Sequence, residues 1–164
     1  MIPGTQGYAE HAAQLIERYE AVSFPEKNRA VLHLVPSPPA SVLDIGAGTG
    51  ADAAWLAGRG HQVLAVEPTA ELRSYGVARY PSPSIEWIDD SLPRLVGVIG
   101  RQQKFDLVFL SAVWMHLDKP ARTLDMPIVA SLLAWDGVVI MSLRHGTVPS
   151  GRVMFEVPAA EAIV

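Results

Sequence analysis

The sequence contains no cysteine. That excludes disulfides, thiolate metal ligands and a cysteine nucleophile. The start, Met-Ile-Pro-Gly-Thr, also lacks the basic then apolar pattern of a secretory leader, so a cytoplasmic protein is expected. Charge is sparse: Asp, Glu, Lys and Arg make up 18% of the 164 residues, the formal net charge is -4, and no run of lysine or arginine occurs. Without a basic footprint a dedicated nucleic-acid binder is not expected, and a small substrate fits better. No apolar stretch reaches the roughly 18 residues needed to cross a bilayer, the longest being broken by Asp106, His116 and Asp136. His11, His33 and His61 have no mutual spacing that forms a metal site, and no metal is expected.

With 49% hydrophobic residues, residues 1–164 suit one domain with a substantial core and are too short for two. Ala12, Leu15, Ile16 and Tyr19 fall three and four apart within residues 8–19, and Ala30, Val31 and Leu34 do so in a second segment, so two N-terminal helices are expected. Pro36, Pro38 and Pro39 make a stiff connector. From there strands are expected over 41–45, 62–66, 85–88, 105–110 and 138–143, with helices over about 51–58, 70–79 and 121–133. Continuous Val, Leu and Ile runs separated by amphipathic helices are what a parallel sheet covered on both faces requires, so the fold class is α/β. Residues 80–84 and 146–151 read as loops.

The first strand ends Leu43-Asp44-Ile45 and runs into Gly46-Ala47-Gly48-Thr49-Gly50. Glycines at alternate positions allow positive φ and let a ligand lie against the backbone where a strand turns into a helix. Glu67 closes the second strand about 20 residues after the first glycine, where a carboxylate can accept from ribose hydroxyls. This much describes a site for a nucleoside-bearing cofactor and is compatible with nicotinamide and flavin folds too. Asp44 separates them: in a dinucleotide site the helix N-terminus holds a pyrophosphate, which an anionic side chain two residues before the first glycine would oppose. A cationic ligand portion is expected near Asp44 instead.

The sequence resembles the class I S-adenosylmethionine-dependent methyltransferases, whose first motif is an acid followed by x-Gly-x-Gly-x-Gly, matched by Asp44, Gly46, Gly48 and Gly50. Asp89-Asp90-Ser91-Leu92-Pro93 resembles the family's acidic motif after the third strand. Residues 105–117, Phe105 to Leu117, resemble its fourth strand and the loop beside the reacting methyl, and residues 132–140 its step into the fifth strand. The resemblance, covering residues 40–145, implies a Rossmann-like three-layer αβα sandwich with a mainly parallel sheet in the order 3-2-1-4-5. It also implies S-adenosylmethionine as cofactor, S-adenosylhomocysteine as product and methyl transfer by in-line displacement from the sulfonium. Asp44, Gly46, Ala47, Gly48 and Gly50 would hold the methionine portion and Glu67, with Pro68, the ribose. One of Asp89 and Asp90, with Ser91, would take the adenine, and Ser111 and Ala112 would lie beside the methyl. Residues 1–36 resemble the family's lid and 40–145 its cofactor-binding core.

Substrate contacts are expected from Tyr8, Trp114, Arg144 and His145, which fall at strand ends or in the lid, where ligands of open α/β sheets collect. His116 is the candidate general base, because imidazole titrates near neutrality. The family's core ends in a hairpin of two further strands. Here residues 146–164 read as a loop and a helix just beginning, so the terminal hairpin is expected to be missing, as in a shortened form of a longer methyltransferase. The fifth strand would then be an open edge inviting a homodimer. The acidic charge favours a small-molecule acceptor. The alternatives are a protein that binds the cofactor without transferase activity, and a methyltransferase acting on a protein or nucleic acid.

Overall fold

In the computed structural model, which describes Thr5 and residues 7–148 and 151–162, five strands form one parallel sheet: β1 Ser41–Ile45, β2 Gln62–Val66, β3 Ile85–Ile88, β4 Phe105–Ser111 and β5 Leu133–Ser142. Their spatial order is β3-β2-β1-β4-β5, as the resemblance implied. The helices between them are α3 Ala51–Gly58, α4 Ala70–Arg79, α5 Val96–Gly100 and α6 Lys119–Ser131.

Alternation along the strands explains the layers. Leu43 and Ile45 of β1, Leu64 and Val66 of β2, and Val108 and Leu110 of β4 join one apolar cluster with Val98 of α5 and Val129 of α6. Their neighbours Val42, Val63, Ala65, Leu107 and Phe109 join a second cluster with Ala53 and Leu56 of α3. Successive side chains of a strand point to opposite faces, so strands with no polar face must be covered on both. Each fully buried Leu or Val contributes about 1.5–3 kcal/mol relative to exposure.

Three expectations from sequence are corrected. The second N-terminal helix is not formed over 30–34; instead α2 runs Phe24–Lys27, and Leu32–Leu34 make a single 3-10 turn. Ser23-Phe24-Pro25-Glu26 supplies the start, a capping box in which the Ser23 amide and hydroxyl both donate to Glu26, with proline in the first turn. The first helix, α1, spans Ala12–Glu20, with residues 7–11 in turns. Second, α5 was not expected, because two glycines and β-branched valines disguise its five residues. Third, β5 begins at Leu133 rather than at 138. Phe105 pairs with Leu133 and Leu107 with Val138, so Trp135, Asp136 and Gly137 bulge out, with Asp136 at φ 61°. α6 correspondingly starts earlier than expected, its N-cap Asp118 accepting from the Ala121 amide at 2.9 Å, and stops at Ser131.

Beyond β5 the described residues form no further strand and end in the short helix α7, Ala159–Ala162. Met1–Gly4 of the leader reading, Pro149 and Ser150 of the loop reading, and Ile163 and Val164 of the last helix lie outside the described residues. Among the described residues no helix is long and apolar enough to cross a membrane.

Candidate functional site

β1 delivers its last residues into a left-handed turn at the carboxyl edge of the sheet. The Gly46 and Ala47 amides both donate to the Val66 carbonyl, at 2.8 and 2.9 Å, which folds the turn back against β2. Gly46 has φ +72°, and a Cβ there would lie 2.5 Å from Val113 Cγ2; Gly50 has φ +80°, and a Cβ there would lie 2.6 Å from the Trp87 ring. Only glycine fits both the backbone and the space. A Cβ on Gly48 would instead enter a gap closed by Tyr19, 3.5 Å away.

That gap belongs to a pocket whose wall includes Gly46, Ala47, Gly48, Glu67, Pro68, Asp90, Ser91, Ser111, Ala112, Tyr8 and His116. Residues expected to act together from widely separated motifs thus share one concavity. Glu67, 5% exposed, is held by two backbone amides: Gly48 donates to Oε2 and Thr69 to Oε1, each at 2.8 Å. Burial pushes its carboxyl up, and those hydrogen bonds together with Arg73 oppose the shift. Each oxygen retains a lone pair for a further donor.

Of the acidic pair, Asp90 is on the wall and Asp89 is not. Asp90 accepts from the Ser91 amide at 2.8 Å and from the Val98 amide at 3.0 Å, so the unexpected α5 orients it. Asp89 points outward to a 2.9 Å ion pair with Arg73 and is largely exposed.

Asp44 stands behind the wall, 1% exposed, with Oδ2 lacking any hydrogen-bond partner among the described residues. It shares the face of β1 that meets α2 and α3. There Lys27 and Asp52 form a 2.7 Å ion pair and both line the pocket. Burial holds the Asp44 carboxyl well above the usual range; Asp52 and Glu67 add repulsion and Lys27 opposes it. Asp52 is also raised by burial, against the pull of Lys27. Lys27 and Asp52 escape a reading of the sequence because one ends a four-residue helix and the other looks like an ordinary acid in a helix's first turn.

At the mouth, Tyr8 Oη lies 2.9 Å from His116 Nε2, with the rings edge to face. His116 Nδ1 lies 3.1 Å from the Val153 carbonyl. A carbonyl only accepts, so Nδ1 carries the proton, Nε2 holds the free pair, and Tyr8 donates to it. Burial lowers the His116 pKa, the Val153 carbonyl opposes this, and Arg152 lowers it further. The Tyr8 hydroxyl is pushed up by burial and by the neighbouring Tyr19 phenol.

Three expected substrate residues are not at this pocket. Trp114 is 1% exposed and packed in the core between β4 and α6; its 3-10 turn points it inward while His116, two residues on, points out. Arg144 donates to Met154 Sδ at 3.4 Å, and His145 is exposed; the chain after β5 carries both away from the wall.

The comparisons agree with this architecture. A TehB-like SAM-dependent methyltransferase from Corynebacterium glutamicum superposes with a TM-score of 0.62 at 22% identity, over 82% of this chain and 71% of that one. The N-methyltransferase NodS from Bradyrhizobium japonicum, in complex with S-adenosyl-L-homocysteine, gives 0.58 at 19% identity, over 78% and 70%. The DhpI-SAH complex gives 0.63 at 21%, over 92% and 76%. At such identities the likeness speaks for the fold. The chain spans 51% of another matched methyltransferase, from Mesorhizobium loti. No curated protein sequence matches it. The methyltransferase-domain family matches residues 8–161, nearly the full length, and the chain belongs to that family.

Proposed function

We propose that the protein transfers a methyl group from S-adenosylmethionine to a small-molecule acceptor. The observation that carries this reading is Glu67, a buried carboxylate on the pocket wall beside the glycine turn whose two oxygens are each fixed by a backbone amide. A vicinal diol is the partner such a carboxylate suits, and ribose presents one.

The residues present fit the rest of the cofactor. Asp90 and Ser91 lie on the wall beyond Glu67, where an adenine would sit, and Asp90 is already oriented by two amides. The unpartnered Oδ2 of Asp44, beneath the glycine turn, is a buried acceptor lacking a donor, which an ammonium reached directly or through water would satisfy. The gap between Gly48 and Tyr19 leaves backbone exposed for the methionine chain.

When bound, S-adenosylmethionine supplies a sulfonium methyl that the acceptor's nucleophile displaces in line, leaving S-adenosylhomocysteine. The protein's part is to hold the reactants in line and exclude water. Ser111 and Ala112 line the pocket at the end of β4, and Val113 closes on Gly46. Tyr8 and His116 handle the acceptor's proton: neutral His116 Nε2 takes the Tyr8 proton while Tyr8 Oη takes the acceptor's, so the phenol remains protonated throughout.

Within this reading β5 pairs its outer edge with a second copy. It is the last strand of the sheet, and Trp135 at its bulge is 95% exposed. Light scattering showing a monomer at working concentration would remove that part alone.

Calorimetry with S-adenosylmethionine against NADH, followed by S-adenosylhomocysteine release over a panel of amines, phenols and acids, tests the function. Binding of the first only, with turnover of a small acceptor, is expected. Tight NADH binding without S-adenosylmethionine binding overturns it.

A further inference from the structure

On the outer side of Tyr8 lies a second cleft, bounded by Gly7, His11, Gln14, Arg18, Gly151 and Arg152 among others. Among the described residues its ionisable lining is two guanidiniums and an imidazole, with no carboxylate, in a chain whose net charge is -4. Among the described residues neither Arg18 nor Arg152 is ion-paired. His11 Nδ1 is engaged by the Gly7 carbonyl at 2.9 Å, which leaves Nε2 available.

Arg152 connects this cleft to the pocket. Its guanidinium lies over the Tyr8 ring, 4.3 Å from the centroid. Stacking uses the flat face of the cation and leaves its N–H edge free for an acceptor. The hydroxyl of the same ring reaches His116 in the pocket. Cationic cleft and proton-accepting pair therefore stand on two sides of one side chain.

We propose that this cleft binds an anionic group of the methyl acceptor, a carboxylate or a phospho group, so that the protein methylates small acids in preference to their neutral counterparts. The proposal rests on the reading of the pocket as a methyl-transfer site and deepens it by naming the substrate class. Guanidiniums match both oxyanions bidentately. An anion in the cleft reaches past Tyr8, and the nucleophilic atom of the same molecule then lies by Tyr8 Oη, where its proton leaves. A small acid of this kind needs no basic surface elsewhere, in keeping with the low overall charge.

The test is made on the full chain by NMR, following the side-chain Nε–Hε signals of Arg18 and Arg152 with and without S-adenosylhomocysteine. Inorganic phosphate, acetate and, as the neutral control, acetamide are titrated separately. Saturable shifts at both arginines with phosphate, acetate or both, and none with acetamide, are expected; which anion saturates first distinguishes the two sources. Arg18→Gln with Arg152→Gln should weaken that binding at least 10-fold. In S-adenosylhomocysteine release, acids should exceed their amides or esters at least 10-fold in kcat/KM, and the double variant should erase the difference by raising KM for the acids and not for the amides. Absence of saturable shifts with either anion, or equal turnover of acids and amides, overturns the proposal. Failure of the underlying function looks different: anion shifts persist while calorimetry detects no cofactor binding.

Discussion

Tyr8 and His116 stand 108 positions apart in the chain and share a 2.9 Å hydrogen bond at the mouth of the pocket. His116 is fixed from its other side by the Val153 carbonyl, so three distant segments define one tautomer. General-base catalysis by such a group contributes typically 10²–10⁴-fold. His116→Asn is expected to lower kcat about 100-fold while cofactor affinity changes no more than a few-fold. Tyr8→Phe, which keeps the ring under Arg152, should cost about 10-fold. Because burial lowers the His116 pKa, the wild-type rate should climb with pH and level off below about 6.5, and the asparagine variant should lose that limb. An unaltered pH-rate profile in His116→Asn counts against a proton-accepting role.

Asp44→Asn separates stability from binding. The carboxylate is buried with an unpartnered oxygen and is repelled by Asp52 and Glu67. Neutralising it should leave the free protein's Tm unchanged or raise it. The same change removes a charge-assisted contact worth about 1.5–3 kcal/mol, so cofactor affinity should fall roughly 10- to 100-fold. Calorimetry and thermal melts on the two proteins check both signs.

Gly46→Ala meets two obstacles, a φ of +72° and a contact 2.5 Å from Val113 Cγ2. A loss of about 1–3 kcal/mol in denaturant unfolding is expected. Adding Val113→Ala removes the contact and leaves the φ, so Gly46→Ala should cost less in that background than in wild type. Full recovery would show that backbone strain contributes nothing.

Asp125, on α6, is 1% exposed, and neither carboxylate oxygen has a partner among the described residues. Burial pushes its carboxyl up to about 6. Its folded value exceeds the unfolded value near 3.8, so the native state holds the proton longer and stability is lost as pH rises from about 4 to 6. Asp125→Asn should therefore gain on wild type by about 1–3 kcal/mol between pH 4 and pH 7. Urea unfolding at both pH values measures the difference.

His61 has the opposite sign. Both ring nitrogens are buried and unpartnered among the described residues, and burial lowers its pKa from 6.5. Below that value the unfolded chain takes up the proton first, so the stability this residue supports at neutral pH is lost on acidification. His61→Gln should flatten the wild-type decline just below pH 6.5, read as the difference between the two unfolding curves.

The strands that carry the fold were legible because a parallel sheet buried on both faces needs strands that are mostly apolar, and the sequence has such runs over 41–45, 62–66, 85–88 and 105–110, the last ending one residue before the strand does. The glycine turn was legible too, since positive φ leaves little choice of residue. The bulge at Trp135–Gly137 and the helix α5 were not. A strand with a glycine and an aspartate at its bulge has no period, and five residues are too few for a helical one.

Within the site, local chemistry named Asp44, Glu67 and His116, because each type falls beside an element end where its function is expected. Only tertiary structure separated Asp90 from Asp89, since α5 must fold back to supply the Val98 amide that turns one of them inward. Only tertiary structure sent Trp114 into the core and set Lys27 against Asp52. Sequence determined which residues end strands, because backbone conformation and burial act over a few neighbours. What each end faces was decided by packing, because that depends on segments a hundred residues away.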